Sequence, residues 1–199
     1  MSLIARLKQR FLSLRREEES RTAFAEERFE DAVSHAHALY EFDLENPWAN
    51  YLLACQHLEA DRYAEALPHL QRVAHDWPAD AWVWYAIGLC HDWEEHYRAA
   101  ADAYDKALAL APHWSKALKN IGQDFYHLGD YPAAEDALQR YCDAKIDDRQ
   151  AHDLLGYVCY RQGKYRQSYS HYEYVRLLDP MDPKSERNAR LLYAHSARS

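Results

Sequence analysis

The chain has 199 residues, of which 48% are hydrophobic and 28% are charged, and its formal net charge is −8. This length allows a sizeable hydrophobic core, whereas a negative net charge argues against general nucleic-acid binding, which needs cations to neutralise phosphates. No apolar run approaches the ~20 residues of a membrane-spanning helix. The four cysteines lack the close paired spacing of a zinc site or a disulfide framework, and this is typical of buried thiols. Together these features predict a soluble cytoplasmic protein without a metal or cofactor.

The first predicted element is a basic amphipathic helix over residues 1–16. This segment holds five basic residues and no acidic one, and its apolar side chains share one helix face. Two interpretations stay open: contact with an anionic membrane surface, or docking on the acidic segment that follows or on a partner. Docking is favoured, because a single short helix binds membranes weakly.

A period of 34 residues organises most of the remaining chain. Four positions recur in register, and their residues are Ala54, Gly88, Gly122, Gly156; Tyr63, Tyr97, Tyr131, Tyr165; Ala66, Ala100, Ala134, Ser168; and Leu70, Tyr104, Leu138, Tyr172. The first of these positions predicts a close approach between helices where glycine lacks a side chain. The other two glycines, Gly129 and Gly163, fall in predicted turns, where glycine takes a positive φ that ends a helix.

Each repeat is predicted to contain two helices, illustrated by residues 82–93 and 98–111. Apolar residues in the second helix recur at spacings of three and four, which indicates one buried stripe, and no strand-like alternation is present. Pro78, Pro112 and Pro180 end three of the repeats. Pro68 falls inside an expected second helix, so we expect a kink or a late start of that helix.

The stretch Trp84-Tyr85-Ala86-Ile87-Gly88, followed by Tyr97, Ala100, Tyr104, Ala107 and Pro112, resembles the tetratricopeptide repeat (TPR) family. The resemblance covers about residues 47–182 and extends to a degenerate first repeat. It implies an all-α, right-handed α-solenoid of helix-turn-helix repeats. The expected division is the N-terminal helix at 1–16, a TPR array at 17–182 and a C-terminal capping helix and tail at 183–199. The repeats of the array are expected at about 17–46, 47–80, 81–114, 115–148 and 149–182.

The resemblance also implies that the first helices line a concave groove, which changes in character along the chain. The predicted lining is aromatic and apolar at first, and later rich in amides and cations. Its residues are Trp48, Tyr51, Leu52, Cys55, Trp82, Tyr85, Leu89, Trp93, Lys116, Lys119, Asn120, Gln123, His127, Gln150, Asp153, Tyr157 and Arg161. Lys116, Lys119 and Asn120 resemble positions with which some family members clamp a peptide carboxylate. Tyr85 and Leu89 stand where a lysine and an asparagine would complete that clamp.

No constellation in the sequence predicts catalysis. The five glycines form no phosphate-binding loop, and no serine sits in a strand-turn-helix context. Of the twelve histidines, His91 shares its repeat position with Phe125 and Cys159, which indicates a packed side chain. We therefore expect no catalytic residue and no metal ligand.

The preferred function is a scaffold, adaptor or chaperone-like module that binds a protein or peptide segment in the groove. That segment would carry aromatic or aliphatic anchors followed by acidic residues. The alternative is a structural assembly factor that self-associates, or that tethers a complex to a membrane through its N-terminal helix. The oligomeric state and the identity of the partner stay open.

Overall fold

The structure is a computed structural model that describes residues 3–144, 147–181 and 187–188, with only the backbone of residues 3–11. The described residues form ten α-helices and no strand. The helices are α1 (Leu3–Ala25), α2 (Phe29–Tyr40), α3 (Pro47–Glu59), α4 (Tyr63–Asp76), α5 (Ala81–Trp93), α6 (Tyr97–Leu110), α7 (Ser115–His127), α8 (Tyr131–Ala144), α9 (Arg149–Arg161) and α10 (Tyr165–Leu178). The predicted all-α repeat fold is confirmed.

The helix boundaries follow the 34-residue period. From α2 onward the even-numbered helices begin at residues 29, 63, 97, 131 and 165, and the odd-numbered helices from α3 begin at 47, 81, 115 and 149. Three of these odd-numbered helices begin after a capping side chain. The side chains of Asn46, Asp80 and Asp148 accept hydrogen bonds from backbone N–H groups in the first turns of α3, α5 and α9, respectively. These caps satisfy donors that a helix start otherwise leaves without partners.

The chain divides into two compact units, an N-terminal unit (Met1–Glu94) and a C-terminal unit (Glu95–Ser199). In the N-terminal unit α1 packs on α2 and α3 packs on α4, while α2 contacts α3 and α4 contacts α5. Successive helices therefore bury apolar side chains against one another. The fully or almost fully buried side chains of this unit include Leu39, Leu52, Leu53, Leu70, Val73 and Val83.

In the C-terminal unit, glycine allows the close helix contact that its repeat position predicts. The helices α7 and α8 form a pair, as do α9 and α10. A methyl group added at Gly122 would lie 2.5 Å from Leu138 Cγ, and one added at Gly156 would lie 3.2 Å from the Tyr172 ring. Since Leu138 is fully buried, the first of these contacts leaves no room for a side chain. The predicted role of this glycine position is confirmed for both residues.

The turn between the two helices of a repeat contains one residue of positive φ. In the turn after α7, the Asp130 N–H donates to the Phe125 carbonyl at 2.9 Å and the Gly129 N–H donates to the Tyr126 carbonyl at 3.0 Å. This is the Schellman arrangement that ends a helix. The prediction for the two glycine turns is confirmed, but the conformation extends to three acidic residues as well. The residues are Glu27 (+59°), Asp61 (+54°), Glu95 (+59°), Gly129 (+76°) and Gly163 (+74°).

The start of α4 differs from the expectation attached to Pro68. The helix does not begin late; it begins at Tyr63 and contains Pro68. A proline here removes the donor that would bond to the Ala64 carbonyl. Because Ala64 and Pro68 are both exposed, water can satisfy that carbonyl and the helix tolerates the loss.

At the N-terminus, α1 runs without a break through Arg16 and Glu17. Its second half docks on the following helices: Arg16 donates to the Ala38 carbonyl at 2.8 Å and lies over the Phe42 ring at 4.3 Å. The predicted capping helix at 184–195 lies outside the described residues except at 187–188. No helix in the described part of the chain has both the length and the apolar content needed to cross a bilayer.

Candidate functional site

The predicted lining of the N-terminal unit forms an aromatic cluster on α3 and α5. The Tyr51 and Trp82 rings are 4.9 Å apart, and Tyr51 also contacts the rings of Trp48 at 5.9 Å and Trp77 at 5.8 Å. Tyr51 and Trp82 are half-buried. Burial raises the pKa of Tyr51 to about 12, with smaller contributions from Cys55 and Asp80. Tyr51 therefore offers a neutral hydroxyl and part of a ring face to a ligand.

Two residues of the predicted lining, Trp48 and Leu52, belong to the hydrophobic core. Leu52 is only 2% exposed, and Trp48 is buried against Phe24 with a ring distance of 5.4 Å. The Trp48 Nε1–H donates to Ser20 Oγ at 3.1 Å. These side chains support the aromatic cluster from behind. Ser20 and Phe24 lie in the degenerate first repeat, where no recurring position marked them.

Cys55, Tyr85 and Leu89 are half-buried members of the same lining. Burial raises the pKa of the Cys55 thiol to about 12, followed by the effect of the nearby Glu59 carboxylate. The thiol is therefore protonated at neutral pH, and this makes it a poor nucleophile. Its contribution to the lining is that of a small apolar side chain.

In the C-terminal unit, Lys119 is occupied by an acid of its own chain. Its ammonium lies 2.9 Å from Asp148 Oδ2 and 3.4 Å from Gln150 Oε1. Asp148 also accepts a hydrogen bond from the Tyr141 hydroxyl at 2.7 Å, and it caps α9 by accepting one from the Ala151 N–H. Burial alone would raise the pKa of Asp148, but these hydrogen bonds outweigh it and lower the pKa to about 2. Any anion that binds Lys119 has to compete with this ionised carboxylate.

The other predicted lining residues of the C-terminal unit vary in exposure. Lys116, Gln123, His127, Gln150 and Arg161 are exposed. Asn120, Asp153 and Tyr157 are half-buried. Lys116 therefore remains available to solvent, in contrast to Lys119.

In three repeats, the last residue of the predicted lining packs on the recurring tyrosine of the preceding repeat. Three pairs show this contact, each joining residues thirty positions apart. We call the second members of these pairs the stacking column: Trp93 lies 6.1 Å from the Tyr63 ring, His127 lies 4.5 Å from the Tyr97 ring, and the Arg161 guanidinium lies 4.6 Å from the Tyr131 ring. One structural position thus presents an indole, an imidazole and a guanidinium in successive repeats.

Five tyrosines form a cluster in the C-terminal unit, and of these the sequence predicted only Tyr157 as a lining residue. Tyr126 lies edge-on to Tyr157 at 5.7 Å and contacts Tyr131 at 6.5 Å, and Tyr160 contacts both Tyr157 and Tyr165. We call these five residues the tyrosine cluster. Tyr126 and Tyr160 immediately precede the stacking column in their repeats, and that spacing could have identified them. Tyr131 and Tyr165 were recognised only as part of the repeat.

Three half-buried histidines, His69, His152 and His171, lie between the two helices of a repeat. The His69 Nδ1–H donates to Asn50 Oδ1 at 2.8 Å, and His152 and His171 place their Nδ1 atoms 3.2 Å apart at the equivalent positions three repeats later. The pKa of His69 and of His171 is lowered to about 4, mainly by burial and next by the neighbouring imidazole of His57 or His152. His69 and His171 are therefore neutral at neutral pH, and each contacts the other helix of its repeat. His91 is largely buried, as predicted, with its Nδ1 3.9 Å from a Glu94 oxygen.

Comparison with known proteins agrees with this architecture. The sequence profile of the tetratricopeptide repeat matches residues 51–92 and 94–149. No curated protein matches the chain by sequence. A crystal structure of MamA protein superimposes with a TM-score of 0.72 at 16% identity, covering 87% of this chain and 94% of MamA. A second MamA structure, MamA AMB-1, gives a TM-score of 0.74 at 16% identity, over 85% of this chain and 93% of that one.

The structure of YrrB, described as a TPR protein with an unusual peptide-binding site, also shares the fold. Its TM-score is 0.72 at 20% identity, with coverage of 81% of this chain and 84% of YrrB. The repeat spacing, the paired helices, the family profile and these solved structures agree. The chain therefore carries tetratricopeptide repeats over residues 51–149.

Proposed function

We propose that this protein is an interaction scaffold or adaptor that binds a peptide segment of a partner protein along its first helices. The observation that carries the proposal is the clustering of partly exposed aromatic side chains on those helices and at the starts of the second helices that follow them. Tyr51 and Trp82 meet in the N-terminal unit, and the tyrosine cluster lies in the C-terminal unit. Trp93, at the end of the helix that begins with Trp82, leaves 58% of its surface exposed.

This arrangement suits recognition. Tyrosine and tryptophan combine a large rigid contact area with a polar tip, and they are enriched among the residues that dominate binding energy. A face that only met solvent would more often carry charged residues. The fold shared with YrrB, which has a peptide-binding site, adds general support. A chaperone-like role in the cytoplasm, and binding without catalysis, are parts of the same proposal.

Selection of a random-peptide display library on the purified full chain tests the proposal. We expect sequence-related peptides whose affinity falls about tenfold or more with Trp82→Ala or Tyr157→Ala, because truncating a central aromatic anchor often costs about 2 kcal/mol. Leu177→Ala is a matched control, since Leu177 is a large exposed hydrophobic residue on α10, outside the proposed lining.

Circular dichroism and unfolding curves would verify that each variant keeps its fold. If the selected peptides bound the two aromatic variants as tightly as the wild type, the proposed lining would be wrong. If no related peptides were selected on the wild type, peptide recognition itself would be contradicted.

A further inference from the structure

The cations of the C-terminal unit differ in what surrounds them. Five of its lysine and arginine side chains form ion pairs with acidic residues of the same chain. The pairs are Lys119 with Asp148, Arg140 with Asp136, Arg149 with Asp179, Lys164 with Glu135, and Arg176 with Glu173. Their charges are therefore largely neutralised within the chain.

Arg161 is held by aromatic rings instead. Its guanidinium lies 4.6 Å from the Tyr131 ring centroid and 5.8 Å from that of Tyr157, and its Nη1 donates to the Tyr157 hydroxyl at 3.2 Å. Within the part of the chain that the structure describes, no carboxylate lies within ion-pair distance of this guanidinium. This positive charge at the end of a first helix is therefore not offset by a paired acid, although the protein carries a net charge of −8.

The chemistry of the guanidinium determines what this arrangement can bind. A guanidinium has five N–H donors, and all of them lie in its plane. Ring contacts use the faces of that plane, and one donor is used by Tyr157. The remaining in-plane donors can bind an oxyanion, and a side chain already fixed by neighbouring rings loses less entropy when it does so.

We propose that Arg161 determines specificity in the C-terminal unit by binding an oxyanion, a carboxylate or a phosphate, on the partner segment, while the tyrosine cluster contacts the residues beside that anion. The assignment rests on the proposed function and names the partner chemistry. It moves the anion-binding role from Lys119, which Asp148 already neutralises, to Arg161.

Parallel selections of a random-peptide display library on three full-length proteins test the assignment: the wild type, Arg161→Gln and Arg98→Gln. Arg98 is a matched control because it is also exposed and lies over one aromatic ring, Phe125, at 5.3 Å. We expect acidic residues to be enriched on the wild type and on Arg98→Gln, and not on Arg161→Gln. Unfolding curves of all three proteins would verify that the fold is kept.

Synthetic versions of the tightest wild-type peptide then define the anion. Replacing its acidic residue by the neutral amide should weaken binding about three- to tenfold, in the range of an exposed but aligned charge pair. That loss should disappear in Arg161→Gln and shrink at high salt. A phosphoserine version that binds more tightly than the acidic peptide would identify phosphate as the preferred anion, and weaker binding would identify carboxylate.

The outcomes separate the two proposals. Peptides that bind the wild type without acidic enrichment, or that bind Arg161→Gln equally well, would overturn the role of Arg161 and leave the scaffold proposal standing. An absence of any selected peptide on the wild type would overturn both.

Discussion

Replacing Gly122 by alanine should destabilise the protein, even though alanine is the better helix former. The gain in helix propensity is about 1 kcal/mol. The new methyl group, however, would lie 2.5 Å from Leu138 Cγ and 2.8 Å from Leu138 Cδ2. Overpacking of this kind costs about 1–3 kcal/mol. Because Leu138 is fully buried and the clash includes its branch carbon, we take the upper end and expect a net loss of about 2 kcal/mol.

The same reasoning predicts a change of sign when the neighbour is made smaller. In a Leu138→Ala background the clashing atoms are gone, so Gly122→Ala should stabilise that variant by up to about 1 kcal/mol through helix propensity alone. Gly156→Ala is the matched control within the wild type, because its methyl group would lie 3.2 Å from the edge of the Tyr172 ring. There the two effects are of similar size and should nearly cancel.

Urea unfolding of the four proteins in this cycle, followed by circular dichroism, measures the effect. The slope of each transition has to be compared as well as its midpoint, because repeat arrays can lose cooperativity. If Gly122→Ala changed the free energy of unfolding equally in both backgrounds, the contact with Leu138 would not be its cause, and the packing argument would be refuted.

Three further predictions concern turns and titrating groups. Glu27→Gly and Asp61→Gly should each raise stability by about 0.5–1 kcal/mol in urea unfolding, because both residues hold a positive φ that glycine adopts without strain; no gain would contradict this strain. The stability advantage of the wild type over Asp148→Asn should be fully present above about pH 4 and should be lost as the pH falls toward 2, since the folded pKa of Asp148 is lowered to about 2. An advantage that did not change with pH would argue against the ionised contact. For His171, whose pKa is lowered to about 4, stability should fall as the pH drops from about 6.5 to 4, and His171→Gln should flatten that part of the profile; an unchanged profile would count against the buried neutral imidazole.

Most of the fold could be predicted from the sequence because the repeat places equivalent residues in equivalent contacts. The glycines at 122 and 156, the recurring tyrosines and the turn glycines all occupy the expected positions. The positive φ at Glu27 and Asp61 could not be recognised from residue type, since only a few per cent of residues other than glycine adopt it. It could have been inferred from the period alone, because these residues precede Gly129 by whole multiples of 34.

The candidate site was less predictable, because the period describes one helix at a time whereas the site depends on neighbours. Nothing local to Lys119 indicates that Asp148, which caps the first helix of the following repeat, neutralises it at 2.9 Å. For the same reason Lys116→Glu is a cleaner test of an acidic partner than Lys119→Glu. The second substitution would place two carboxylates side by side and disturb the cap of α9.

In the proposed lining, the stacking column lets the exposed chemistry of a repeat vary without a change in its fold. In each stacked pair, one member is the recurring tyrosine of the repeats. The other member is a tryptophan, a histidine or an arginine. Because this second member contributes little to the core, it can be exchanged without rebuilding the helices. Mutation or design could therefore retarget the scaffold one repeat at a time, by substituting at positions 93, 127 and 161.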